Sequence, residues 1–98
     1  MKNETTGTVV RQIADISREL SDRFTVLRIG VFGSYARGNE SPESDVDIIV
    51  EMAEPTFDNY MDLKFRLEEV LQRSVDLVIA DTVKPRLKPI IEREVVYA

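Results

Sequence analysis

From Thr8 the apolar positions Val9, Ile13, Ile16 and Leu20 recur at spacings of four, three and four, with Arg11, Asp15, Arg18 and Glu19 between them. That period puts one apolar face on an amphipathic helix, preceded by a frayed, disordered segment 1–7. The pattern then changes. Phe24 to Phe32 is short, rich in Val, Leu, Ile and Phe, and stopped by Gly33, as a strand would be. Gly30 would weaken an ordinary strand, and its presence predicts close approach by another backbone. Ser34 to Arg37 has room for a helical turn before Gly38, after which Asn39, Ser41 and Pro42 mark a loop. Asp45 to Glu51 sets Asp45, Asp47 and Ile49 against Val46, Ile48 and Val50, a strand period that turns both aspartates to one side.

Pro55 closes that segment. Phe57, Tyr60, Met61, Leu63, Phe65, Leu67, Val70 and Leu71 predict a helix of about four turns, with Lys64, Arg66, Glu68 and Glu69 on its wet side. Ser74 to Ala80 reads as a third strand carrying Asp76, and Asp81 with Thr82 as a turn or helix cap. Pro89 suits the first turn of a short last helix before the apolar VVYA. The order helix, strand, strand, helix, strand, helix predicts an α/β (α+β) fold, a small mixed β-sheet with flanking helices, as a single domain over 1–98.

Composition narrows the chemistry. The 98 residues include no cysteine and no histidine, which removes thiol nucleophiles, zinc–thiolate sites and the commonest general base. Any metal must then be held by oxygen, which favours Mg2+ or Mn2+. A net charge of -5 argues against direct nucleic-acid binding through a broad basic surface. No stretch approaches the roughly 20 apolar residues that span a bilayer, and MKNETTGTVV lacks the apolar run of a signal peptide, so a cytoplasmic protein is expected, with no membrane partner.

Against that background one spacing stands out: Gly33-Ser34, ten residues, then Asp45-Val46-Asp47. A glycine lets backbone approach a phosphate, and a serine beside it offers a hydroxyl and an N–H at a turn where partial positive charge favours anions. Two same-face aspartates repel each other and are poor strand formers, but they can bridge two divalent cations that clamp a triphosphate. A third carboxylate is needed where the nucleophile enters. Asp76 is preferred because it sits within a short apolar strand, where an unpaired carboxylate is costly; Asp81 and Glu51 fall at element ends, where solvated roles suffice. Blander readings exist for each: a strand-ending turn at Gly33-Ser34, a capping Asp45 with a wet Asp47, a surface Arg37, and for Ser44 a loop position as apt as a phosphate contact. Tyr35 and Tyr60 are expected to pack rather than to stack on a base.

The strings GSYARG, SDVDIIV and VDLVI resemble the nucleotidyltransferase superfamily related to DNA polymerase beta. More closely, they resemble its minimal nucleotidyltransferases, antitoxins that work beside HEPN-domain toxins. The likeness covers about Val26 to Ala98; the Gly-Ser and Asp-x-Asp spacing carries the superfamily, and Ala36-Arg37-Gly38 with the short length carries the minimal group. It implies that Gly33 and Ser34 contact the nucleotide phosphates, that Asp45 and Asp47 hold two Mg2+ ions, and that Asp76 completes the nucleophile-side ion and serves as general base. Arg37 falls where the minimal group has its arginine, whose fork of donors suits a phosphate.

The resemblance implies transfer of AMP from ATP to a hydroxyl, a tyrosine of a cognate HEPN ribonuclease toxin, which silences it. About 18 residues follow the third strand, too few for a helical acceptor-binding domain, so the acceptor is expected on another molecule. Two other readings stand beside this one: a non-catalytic antitoxin that neutralises by docking, and nucleotidyl transfer to a small molecule or an RNA end.

Overall fold

A computed structural model describes residues 4–33 and 45–98. Its elements are α1 (Glu4–Asp15), α2 (Ser17–Phe24), β1 (Val26–Phe32), β2 (Val46–Met52), α3 (Phe57–Leu71), β3 (Val75–Ile79), a 3-10 turn (Ala80–Thr82), α4 (Lys88–Glu94) and β4 (Val96–Tyr97). The strands form one mixed sheet in the order β3-β2-β1-β4, with β1 antiparallel to both neighbours and β3 parallel to β2.

The first helix starts at Glu4, ahead of the Thr8 expected from the apolar spacing, because polar residues extend a helix without contributing to its period. It also breaks at Ile16, where the backbone (φ -111°, ψ 18°) leaves the helical region and the Ile16 N–H donates to Ile13 O at 3.1 Å. The apolar face survives the break: Val9, Ile13 and Leu20 are all buried. α3 is capped by Thr56, whose side chain accepts the Asn59 N–H at 3.1 Å, and ends at Gln72 in the left-handed region (φ 56°).

One face of the sheet carries Ile29, Val31, Val46, Ile48, Val50, Val75 and Leu77, and these bury against Ile13, Leu20, Leu63 and Leu67 of α1, α2 and α3. Each such side chain contributes roughly 1.5–3 kcal/mol of transfer free energy, so this single layer holds the fold. Two α3 positions depart from the expected apolar face: Phe57 and Phe65 are exposed, because the face that meets the sheet is set by Leu63, Leu67 and Leu71, one turn apart. Glu68 departs the other way. Far from being merely solvated, its Oε2 accepts the Val75 N–H and the Lys64 ammonium, each at 2.9 Å, tying α3 to the start of β3. The backbone bond first, and Lys64 second, hold its carboxyl below the usual range. Glu69 is exposed and pairs with Arg66.

β4 was not expected, since two residues are too few to show a period. It pairs with β1 at Gly30 and Val31, and the Ala98 N–H donates to Ile29 O at 2.9 Å. The predicted close approach at Gly30 is met by this strand: a Cβ there would stand 2.6 Å from Val95 Cγ2 and 3.1 Å from Val96 O. Arg28 stacks over the Tyr97 ring at 4.2 Å and bonds Glu51 at 2.7 Å, so the Tyr97 side chain is held on the sheet face opposite the helical core. Among the described residues no helix is long and apolar enough to cross a membrane.

Candidate functional site

The face of the sheet away from α1–α3 is where the polar positions of the strands emerge. Along β2 burial alternates strictly, with Val46, Ile48, Val50 and Met52 buried and Asp47, Ile49 and Glu51 partly open. The strand period therefore sends Asp47 to the open face because its neighbours are claimed by the core. Across the sheet Phe32, Asp47 and Asp76 are register partners on β1, β2 and β3. Neighbouring strands lie about 4.8 Å apart, so Asp47 and Asp76 stand side by side on one face. Asp45, two residues before Asp47 and just ahead of β2, is exposed at the same end.

Gly33 leaves β1 beside this row with φ +76°, the left-handed region in which a Cβ is penalised. A Cβ built there would overlap the Asp47 carboxylate, standing 3.0 Å from its Cγ. The glycine thus lets the β1 exit turn lie directly against Asp47. The predicted glycine and two of the predicted aspartates, Asp47 and Asp76, come together at one end of the sheet, and Asp45 adjoins them. Ser34, Arg37 and Ser44, with Tyr35, lie outside the described residues.

The three expected alternatives for a third carboxylate separate cleanly. Glu51 is at the far end of β2 and is engaged by Arg28 at 2.7 and 3.2 Å. Asp81 belongs to the 3-10 turn beyond the opposite end of β3. Asp76 alone of the three is a register partner of Asp47. The reason given for preferring it needs correction, however. Asp76 is exposed, because the flanking Val75 and Leu77 take the core face of β3, so desolvation does not single it out; its register does.

The donor chemistry suits a hard divalent cation. Asp47 and Asp76 offer carboxylate oxygens from adjacent strands on a common face, and Asp45 adds another at the same strand entrance. Among the described residues no three such groups already converge on one point.

Tyr60 packs as expected: it is half-buried and donates to Leu77 O at 2.6 Å. It lines a groove of about 410 Å3 with Phe57, Val78 and Thr82. Among the described residues, none that lines that groove is charged. A second groove, of about 430 Å3, lies beside Gly33 and Asp47 and is lined also by Phe32, Leu87, Ile90, Ile91 and Glu94. Sequence reasoning treated this last helix as structural and passed over it.

The nucleotidyltransferase domain family matches residues 12–98. The protein adenylyltransferase MntA of Thermococcus cleftensis is 44% identical over 81 residues, covering 82% of each chain. A solved structure described as a candidate minimal nucleotidyltransferase superposes with a TM-score of 0.77 at 36% identity, covering 98% of this chain and 95% of its own. A mutant of a toxin–antitoxin pair, MntA-HpeT, has a chain that superposes with a TM-score of 0.68 at 26% identity, covering 87% of this chain and 69% of that one.

Proposed function

This chain belongs to the nucleotidyltransferase domain family, and from that premise we propose that it is an antitoxin that moves AMP from ATP to a hydroxyl, that of a tyrosine, on a cognate HEPN ribonuclease toxin and so silences it. The observation that carries the reading is the row Phe32, Asp47, Asp76 with Gly33 pressed against Asp47. On this reading the row supplies a phosphate-side turn, a metal-side carboxylate and an acceptor-side carboxylate in adjacent positions. The MntA relatives, one named a protein adenylyltransferase and the other part of a toxin–antitoxin pair, support the acceptor being a protein.

Each residue then has one task. Gly33, with Ser34 beside it, receives the triphosphate on backbone that no side chain obstructs. Arg37 and Ser44 supply further donors to the phosphates. Asp45 and Asp47 would hold two Mg2+ ions, with Asp76 as a further ligand; bound there, the ions would neutralise the charge that develops on the α-phosphate. Asp76 takes the proton of the acceptor hydroxyl, whose oxygen forms the new bond to the α-phosphorus as the bond to the β-phosphate oxygen breaks and pyrophosphate leaves. Positioning and charge stabilisation provide most of such a rate enhancement, which is within the means of a small sheet.

Asp45→Asn and Asp47→Asn test this. Each is expected to abolish AMP transfer to the purified toxin, read as an AMP-sized mass addition, while the far-ultraviolet circular dichroism and melting temperature hold. Transfer at an unchanged rate rejects the assignment. The double variant separates catalysis from docking: full neutralisation of the toxin by Asp45→Asn, Asp47→Asn protein would mean that binding alone protects.

A further inference from the structure

Leu87, which precedes α4, and Ile90 and Ile91 within it form a stripe at the spacing that brings side chains together on one helix face. Leu87 is 42% and Ile90 45% exposed, so neither is explained by the core. The stripe does not face open solvent at random: it lines the groove of about 430 Å3 that Phe32, Gly33 and Asp47 also line. We propose that this stripe is the nucleoside-side wall of the nucleotide site, against which the base of the bound nucleotide packs.

Three observations choose this occupant, given the transfer reading on which the proposal rests. The base lies one ribose away from the α-phosphate, and Asp47, which would hold a metal beside that phosphate, is part of the groove itself. On that reading the triphosphate is taken by the Gly33 turn and by the ions at Asp47, which leaves Phe32, Leu87, Ile90 and Ile91, the apolar part of the lining, for an uncharged group. The acceptor belongs elsewhere: Asp76 is on β3, on the other flank of Asp47 from β1 and Gly33, and does not line the groove. An apolar wall with a few polar groups at its rim is the usual means of holding a flat, uncharged ring.

The test is calorimetric titration of the full chain, with Mg2+, using AMP-PNP and inorganic tripolyphosphate as separate probes. For Ile90→Ala and Leu87→Ala, each truncating a partly exposed side chain, the Kd for AMP-PNP is expected to rise about tenfold, about 1.4 kcal/mol, while that for tripolyphosphate stays unchanged. Equal weakening of both probes, or of neither, overturns the proposal while leaving the nucleotide site intact. A rise in the KM for the protein acceptor with unaltered AMP-PNP affinity overturns it too, and gives the stripe to the partner. Wild-type protein that binds neither probe would instead remove the nucleotide reading, and this proposal with it.

Discussion

Replacing Gly33 by alanine should separate the site's geometry from the fold's stability. Two penalties arise. The backbone sits at φ +76°, where an added Cβ costs roughly 1–2 kcal/mol. The same Cβ would overlap the Asp47 carboxylate and come within 3.0 Å of its Cγ and 3.2 Å of its Cβ, against about 3.5–4.0 Å for an ordinary carbon contact. Either the carboxylate retreats or the turn does, by roughly half to one ångström. A domain of this size commonly has about 5–15 kcal/mol in hand, so it stays folded, with a melting temperature lowered by about 5–15 °C. Transfer suffers far more, because a misplacement of that size costs about 100-fold in rate.

The assay is single-turnover AMP transfer to the toxin at a temperature well below the variant's melting point, beside a thermal melt. Gly7→Ala is the control: nothing lies within 4 Å of a Cβ at that α1 position, so it should leave transfer unaltered and add about 0.5–1 kcal/mol of stability. If Gly33→Ala protein keeps more than half the wild-type rate, or loses rate only in proportion to its unfolded fraction, the contact between the turn and Asp47 is not part of the chemistry.

Two further predictions concern the scaffold. Gly30→Ala puts a methyl 2.6 Å from Val95 Cγ2, 2.9 Å from Tyr97 Cδ1 and 3.1 Å from Val96 O, so β4 should be pushed off β1 at a cost of about 1–3 kcal/mol. Hydrogen exchange at the Ala98 amide should accelerate, and unchanged protection there would refute it. For Glu68 the folded-state carboxyl is held below its usual 4.5, so its contribution is present above that value and is lost as pH falls through the folded one. Glu68→Gln should therefore cost about 1–2 kcal/mol at neutral pH, and the gap in melting temperature between variant and wild type should narrow as pH falls below 4.5. A gap that stays constant over that range would mean that the charge of Glu68 contributes nothing.

What could be read from the residue pattern, and what could not, divides along physical lines. Val46, Ile48 and Val50 alternating with Asp47 announce a strand with one buried face, and that alternation alone sends the carboxylate to the open side. The spacing of Leu63, Leu67 and Leu71 likewise determines α3, but Phe57 and Phe65 could not be assigned to its wet side from hydrophobicity, since an isolated exposed aromatic leaves no mark in the period. The two-residue β4 is a tertiary pairing with no local signal beyond the vacant Cβ position at Gly30. Glu68 is the same case in reverse, a polar residue whose backbone partner Val75 becomes visible only once α3 turns back onto β3.

Asp76 shows where the two kinds of information differ most. In one dimension a carboxylate inside VDLVI looks buried and therefore costly, and that cost was the argument for its role. In three dimensions β3 is an edge strand with a single covered face, so Asp76 is exposed and carries no such cost. Its claim to a role rests instead on parallel register, which matches Asp76 to Asp47 and leaves Glu51 and Asp81 at the other ends of their segments. Register depends on the whole of β2 and β3 burying Val46, Ile48, Val75 and Leu77 together, and a slip by one residue would turn Asp76 into the core. The packing of apolar side chains on the helical face is thus what holds the carboxylates as neighbours on the other.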